Sequence, residues 1–246
     1  MFDFLKTNKT DVTARLTPQR RLDQALSKAG IEDPTTITKL TIVGTMLKAD
    51  FKFICRKMGK TLQELDIFNA SLEESKLRKG AFARCVALTN VTVPNWITEI
   101  SDGAFSNCIS LKSFTIPKSV TKIGELAFWG CTNLQSVVIP DSVTELDFRA
   151  FNNTGLTSIH LPNSIVKIGG SAFGRCLDLV TVNIPNSVVE IGNGAFSGCT
   201  GLAAINIPKS VTQIGEWVFE GCNPLVTVHP DNPVYASENG KLVRKN

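Results

Sequence analysis

Residues 111–133 set out a pattern that recurs along most of the chain: Leu-x-x-apolar-x-apolar-Pro, then Ser-Val-x-x-Ile-Gly, then Ala-Phe-x-Gly-Cys. In the first part, Phe114 and Ile116 alternate with polar neighbours. That period of two predicts a short strand with one buried face. Pro117 ends it, because proline has no N–H to give to a strand ladder. The second part alternates again, with Val120 and Ile123 pointing inward, and Gly124 supplies a bend. Ala127 and Phe128 then set a small and a large residue into the core. Gly130 and Cys131 turn the chain back to Leu134.

Three residue types share one period. The phenylalanines at 82, 105, 128, 151, 173, 196 and 219 follow steps of 23, 23, 23, 22, 23 and 23. Pro94, Pro117, Pro140, Pro162, Pro185 and Pro208 keep the step, as do Cys85, Cys108, Cys131, Cys176, Cys199 and Cys222. The short step falls in residues 151–156, which also lack the cysteine. A unit this small cannot bury its own apolar residues; stacked on its neighbours it can. The pattern therefore predicts a repeat solenoid. It should be a right-handed coil with a parallel β-ladder, a second row of short outer strands and a helical N-terminal cap. Nine strand-like segments at about 4.8 Å spacing give a stack on the order of 40 Å.

The ends depart from the period. Residues 1–16 read as a flexible basic tail. Residues 17–79 read as a cap with irregular first coils. Within it, Thr17 is placed as the N-cap and Pro18 as the first residue of a short helix ending before Gly30. Residues 38–44 and 62–67 read as strands, and Asp50 to Met58 as a helix with Phe51, Ile54, Cys55 and Met58 on one buried face. The repeats proper occupy 80–230. Residues 231–246 are a C-terminal cap or the truncated start of another repeat.

The unit resembles the BspA-like leucine-rich repeat. Residues 205–215 (Ile-Asn-Ile-Pro-Lys-Ser-Val-Thr-Gln-Ile-Gly) and 195–200 (Ala-Phe-Ser-Gly-Cys-Thr) follow that family's consensus almost position for position. The likeness covers about 80 to 230, residues 38–67 look like the family's lead-in, and 232–240 resemble a spacer found inside longer members. The resemblance implies a cell-surface or secreted protein of a host-associated microbe, often an adhesin binding matrix proteins or partner cells.

Composition adds limits. With 246 residues and 43% apolar, the chain can form a sizeable core and is not disordered. The net charge of +4 is too small to argue for nucleic acid, and its excess sits at Lys6, Lys9, Arg15, Arg20 and Arg21 and at Lys241, Arg244 and Lys245, as solvated ends would. No apolar run is long enough to insert in a membrane. Lys6 and Asn8 interrupt any signal-peptide core after Phe2, Phe4 and Leu5. That leaves open an intracellular protein, a removed export signal, or another export route.

Candidate chemistry is sparse. The seven cysteines include no C-x-x-C pair, and six occupy one core position. In-register neighbours reach the torsion of a disulfide only with difficulty, and a row is not a tetrahedral zinc site, so they read as free, buried small hydrophobes. His160 and His229 read as outward residues at one strand position three coils apart. No nucleophile, phosphate-loop or dinucleotide motif occurs, so the sequence predicts no enzyme, cofactor or metal.

Binding is the better expectation, on one continuous sheet surface. Its central row is read as Thr92, Thr115, Val138, His160, Asn183, Asn206 and His229, and its neighbour as Asn90, Ser113, Ser136, Ser158, Thr181, Ala204 and Thr227. Trp96 replaces the serine of the Pro-x-Ser turn, and an exposed tryptophan is typical of binding hot spots. Packing against the cap is its other reading. The expected partner is another protein or a host matrix or cell-surface component, met by a monomer. The alternatives are an intracellular interaction scaffold and, through Trp96, Trp129 and Trp217, a carbohydrate-binding module. Finally, the residue before each outer-strand isoleucine or leucine alternates in sign: Glu99, Lys122, Glu145, Lys167 and Glu190, then neutral Gln213.

Overall fold

Successive coils stack in parallel, and each repeats the order strand, bend, outer strand, turn. The computed structural model describes residues 4–6 and 10–245, for residues 4–6 the backbone alone. On the main face, Asp11–Leu16, Lys39–Met46, Glu64–Asp66 and Asn90–Thr92 form one sheet, and Ala70–Leu72 also pairs with Lys39–Met46. Beyond it the three-residue strands close in pairs: Ser113–Thr115 with Ser136–Val138, and Ser158–His160 with Thr181–Asn183. The last pair is Ala204–Ile207 with Leu225–Val228. The main ladder is thus interrupted rather than continuous, although the Thr157 N–H to Gln135 C=O bond links two neighbouring pairs at one edge. On the opposite side, an unbroken seven-stranded parallel ladder runs from Lys76–Leu77 to Gln213–Ile214.

Between the ladders lies a column of rings. Phe105, Phe128, Phe151, Phe173 and Phe196 stack nearly parallel, with centroids 5.1–5.8 Å apart. All are fully buried. The ring pitch exceeds the roughly 4.7–4.9 Å that hydrogen-bonded strands prefer. The breaks fall in the main ladder and not in the outer one.

The turns around each Ala-Phe pair are hydrogen-bonded from coil to coil. Phe105 N–H donates to Ala127 C=O, Phe128 N–H to Ala150 C=O, and Phe151 N–H to Ala172 C=O. Alternate residues on either side do the same: Leu126 N–H to Phe148 C=O, and Gly130 N–H to Asn152 C=O. These flanking residues have left-handed backbones, including Leu126 (φ 56°), Arg149 (φ 54°) and Trp217 (φ 55°). The lateral bonds satisfy buried peptide groups that an irregular coil would otherwise leave unpaired.

The cysteines complete these turns. Cys108, Cys131, Cys176 and Cys199 each donate S–H to the Phe carbonyl of the coil before, at 3.0–3.2 Å. All seven thiols are free. Burial pushes the Cys131 thiol up to about 12. In the shortened coil, Thr154 takes the cysteine's place, its hydroxyl donating to Phe151 C=O at 2.9 Å and lying 3.1 Å from Cys176 Sγ.

The N-terminal end corrects the reading of residues 1–16 as a flexible tail. Asp11–Leu16 is a strand, parallel to Lys39–Met46, with Val12, Ala14 and Leu16 buried. Its period of two is six residues long and lies among charged neighbours, which hid it. Residues 1–3 and 7–9 fall outside the described residues. The first helix also begins later than expected. Thr17 and Arg20 close a tight turn over Pro18, and α1 runs Leu22–Lys28, with Gly30 (φ 72°) after its end as expected. The next helix, α2, runs Lys48–Phe53 and widens into a π-type turn over Ile54–Met58, where Cys55 is half-buried rather than buried. Asp50, 1% exposed, ties both helices: its carboxylate accepts from Leu22 N–H at 2.7 Å and from Leu47 N–H at 2.8 Å.

At the other end, Tyr235–Glu238 and Lys241–Arg244 form an antiparallel hairpin. Buried Asn232 anchors it, donating to Pro208 C=O and Val211 C=O, both at 2.9 Å. The Tyr235 hydroxyl accepts the free Ile214 N–H of the last outer strand.

The outer ladder carries the alternating charges in register, and it starts one coil earlier than the repeat suggested. Lys76 pairs with Glu99, Glu99 with Lys122, Glu145 with Lys167 and Lys167 with Glu190. Lys167 Nζ lies 3.0 Å from Glu190. That hydrogen bond holds the Lys167 ammonium above the ordinary lysine value, with Glu145 on its other side adding to the effect. Replacing Lys122 and Lys167 together by Glu should lower the melting temperature at low salt and leave it nearly unchanged at high salt, where exposed repulsion is screened. Equal melting temperatures at low salt would mean that the ladder contributes nothing. Asp50→Ala removes the acceptor for two buried N–H groups, and chemical denaturation should register a loss of about 1–3 kcal/mol.

Candidate binding surfaces

A three-residue strand with one buried residue must present the other two to solvent. The main face accordingly shows Asn90 and Thr92, Ser113 and Thr115, Ser136 and Val138, Ser158 and His160, Thr181 and Asn183, and Asn206, all exposed. Cross-strand neighbours fall as the repeat predicts: Ser113 beside Ser136, Thr115 beside Val138, Ser158 beside Thr181, His160 beside Asn183. Val138 is 76% exposed, more than any other large apolar side chain among the described residues.

His229 is not part of this row. The last strand is slipped by two residues, so that Asn206 pairs with Thr227 and Ala204 with Leu225. Register by the repeat would have put Pro230 opposite Ile207, at an inward position of the ladder where proline cannot donate. A two-residue slip keeps the alternation. It buries Val226 beside Ile205, sets Val228 beside Ile207, and lets His229 N–H close the ladder onto Ile207 C=O at 2.9 Å. The His229 side chain then faces Asp231, whose backbone N–H it accepts at 3.2 Å. Thr227 moves into the central row, and Leu225, 58% exposed, into the adjacent one.

The same sheet also continues further than the repeat did. Asn90 pairs with Glu64 and Glu64 with Lys39, and Thr92 pairs with Asp66. Lys39 and Glu64 form a 3.1 Å ion pair. The face is therefore charged over its first coils and uncharged in both rows from Asn90 to Thr227. Sequence reasoning missed the charged part because it assigned those strands to the cap. Their Leu-x-x-Leu-x-Ile spacing over residues 62–67 was the available signal.

Trp96 is 41% exposed. In later coils its position is a serine, which at Ser142, Ser164 and Ser187 donates to a carbonyl of the coil before (Val120, Val143 and Ile165) and at Ser210 has its hydroxyl buried without a partner among the described residues. The coil beneath Trp96 has no Pro-x-Ser turn to continue that column.

A cleft apart from the sheet face lies on the turn side of the stack, where the repeat gave no sign of one. Two coils with small turn residues (Gly170, Ser171, Gly192, Gly194, Ser197) lie between coils with large ones. Phe148 forms one wall, 40% exposed, with the Arg149 guanidinium 4.8 Å from its ring centre. Trp217, 64% exposed, forms the other, and Tyr235 and Arg244 close the end. The cleft encloses about 790 Å³. Its floor has little room for side chains: a Cβ on Gly192 would lie 2.6 Å from Gly170 N. Trp217 occupies a left-handed position that is glycine in three other coils, Gly80, Gly103 and Gly194. A bulky residue there costs roughly 1–2 kcal/mol. Trp217→Gly is expected to keep or raise the melting temperature; a fall of several degrees would make Trp217 a packing residue instead of a wall for a ligand.

Comparison with known proteins agrees with this architecture. The family model described as the BspA type leucine rich repeat region matches in six copies, over residues 60–180 and 166–239. The crystal structure of the pneumococcal vaccine antigen PcpA superposes with a TM-score of 0.53 at 27% identity, covering 63% of this chain and 40% of that one. This chain thus spans well under half the length of that antigen's structure. A leucine rich cell surface protein from Faecalibacterium prausnitzii A2-165 superposes with a TM-score of 0.56 at 24% identity, covering 92% of this chain and 74% of that one. No curated protein matches the chain.

Proposed function

The chain belongs to the BspA type leucine-rich repeat family, and from that premise we propose that it is a non-catalytic binding protein of a cell surface or secreted assembly, which grips another protein or a matrix component with its main sheet face. One observation carries this reading. From Asn90 to Thr227 neither outward row of that face holds a charged side chain, although 20% of the chain is charged. Solvated surfaces of soluble proteins are usually rich in charge. A flat, small, uncharged β-surface allows close approach and loses little on desolvation. Val138 and Leu225 supply apolar contact within it. The similar pneumococcal protein is described as a vaccine antigen, which fits exposure to the host.

Such an interface is held by shape and apolar contact, so its affinity should depend only weakly on ionic strength. The test is binding of the purified chain to immobilised matrix proteins and to host cells, across salt concentrations. Val138→Arg should weaken the captured interaction tenfold or more, about 1.4 kcal/mol, with the melting temperature unchanged. Binding that survives Val138→Arg and collapses with salt would move the interface to the charged coils of Lys39, Glu64 and Asp66.

The cleft between Phe148 and Trp217 favours a second reading, a saccharide site. An exposed indole gives a flat apolar platform, and Ser171, Asn193 and Gln213 offer neutral hydrogen-bonding groups around it. A glycan array distinguishes the two: glycan binding abolished by Trp217→Ala and untouched by Val138→Arg assigns the function to the cleft.

A further inference from the structure

The thiol column ends in a contact unlike its other members. Along the stack each cysteine sulfur meets the carbonyl of a phenylalanine one coil earlier, as in Cys108 to Phe82 and Cys131 to Phe105. Cys85 stands in the first coil of the column, and beneath it lies the helical cap. Its sulfur meets the sulfur of Cys55 at 3.2 Å. Cys55 in turn approaches Ala81 C=O at 3.2 Å. Gly59, one turn further along the cap, makes this approach possible: a Cβ there would lie 2.5 Å from Cys55 O and 3.4 Å from the Cys85 Cα.

The two thiols differ in a useful way. Cys85 is 1% exposed, whereas Cys55 is only half-buried. The hydrogen bond from Cys85 holds the Cys55 thiol below its ordinary value, while the same bond and burial push Cys85 up. Thiolate character on the less buried residue favours attack by Cys55, with Cys85 behind it to resolve the product.

We propose that Cys55 and Cys85 are an oxidative modification site: a dithiol that a small-molecule disulfide closes into an intrachain disulfide, stapling the N-terminal cap to the first repeat coil. The Cys55 thiolate attacks one sulfur of the small disulfide, forms a mixed disulfide and expels one thiolate. Cys85 gives up its proton and attacks the Cys55 sulfur, which expels the second. Two protein thiols become one disulfide, and the two electrons leave in two reduced small thiols. A dithiol reductant reverses the step. The other in-register cysteines have a carbonyl, not a sulfur, as neighbour, so the chemistry is confined to this pair. The inference rests on the cap geometry alone and stands or falls independently of the binding partner.

The test uses the full chain, reduced and then equilibrated with oxidised glutathione. Thiols are counted after denaturation, and disulfide-linked peptides are mapped by mass spectrometry. Seven free thiols should fall by two, with Cys55 linked to Cys85. The melting temperature should rise by roughly 5–15 °C, as expected when a loop of this size is closed. Cys85→Ala should instead accumulate glutathione on Cys55, and Cys55→Ser should keep all its remaining thiols and show no shift. Seven thiols retained, glutathione accumulating on Cys55 of the wild type, or a disulfide joining any other pair would overturn the proposal.

Discussion

No coil of this chain can hide its own phenylalanine; each ring is covered by the ring of the coil above and the coil below. From Phe128 to Phe151 the rings lie 5.1 Å apart and within 2° of parallel, and similar contacts extend to Phe219. This lateral contact is the constraint on which the rest depends. It makes every coil the solvent shield of its neighbour. It also explains why ends need special residues. At the N-terminus, Phe51 from α2 meets Phe82 at 5.4 Å and so begins the column from outside the repeat.

The polar counterpart of that column is equally lateral. A coil with two-residue outer strands has few backbone bonds of its own, and most of its buried N–H and C=O groups find partners one coil away. Side chains join the same columns. The thiols of Cys108, Cys131, Cys176 and Cys199, the serines at 119, 142, 164 and 187, and Thr154 each bond a backbone carbonyl, in most cases one of the preceding coil, whereas the buried Ser210 hydroxyl has no such partner among the described residues. A buried hydroxyl or thiol left without that carbonyl would cost of order 1–3 kcal/mol. The repeat therefore conserves chemistry along a column even where the residue changes, as cysteine gives way to threonine. Asn232 closes the serine column in the same way, with an amide reaching Val211 C=O.

Surface features arise where the columns change character. The main face loses its charges after Asp66, the turn column narrows to glycine and serine between Phe148 and Trp217, and the thiol column meets Cys55 at the cap. Each of these places departs from the repeat while the stack beneath continues unaltered. A solenoid can carry such departures cheaply, because each coil contacts only its neighbours.

The sequence alone determined the architecture: period, strand positions, buried columns and the outward rows from Asn90 to Asn206 all follow from residue types that recur every 22 or 23 positions. A period carries that information because stacking places equal positions side by side. Where the period failed, tertiary structure decided. Residues 11–16 became a strand because the sheet edge of Lys39–Met46 was there to pair with them, a partner that local pattern does not reveal. The last strand slipped by two and removed His229 from the outward row, because avoiding Pro230 in the ladder outweighed repeat register. The cleft beside Trp217 and the contact of Cys55 with Cys85 join residues whose side chains share a site only after packing, and no spacing along the chain encodes how large a neighbour's side chain is or which sulfur lies beneath the first coil.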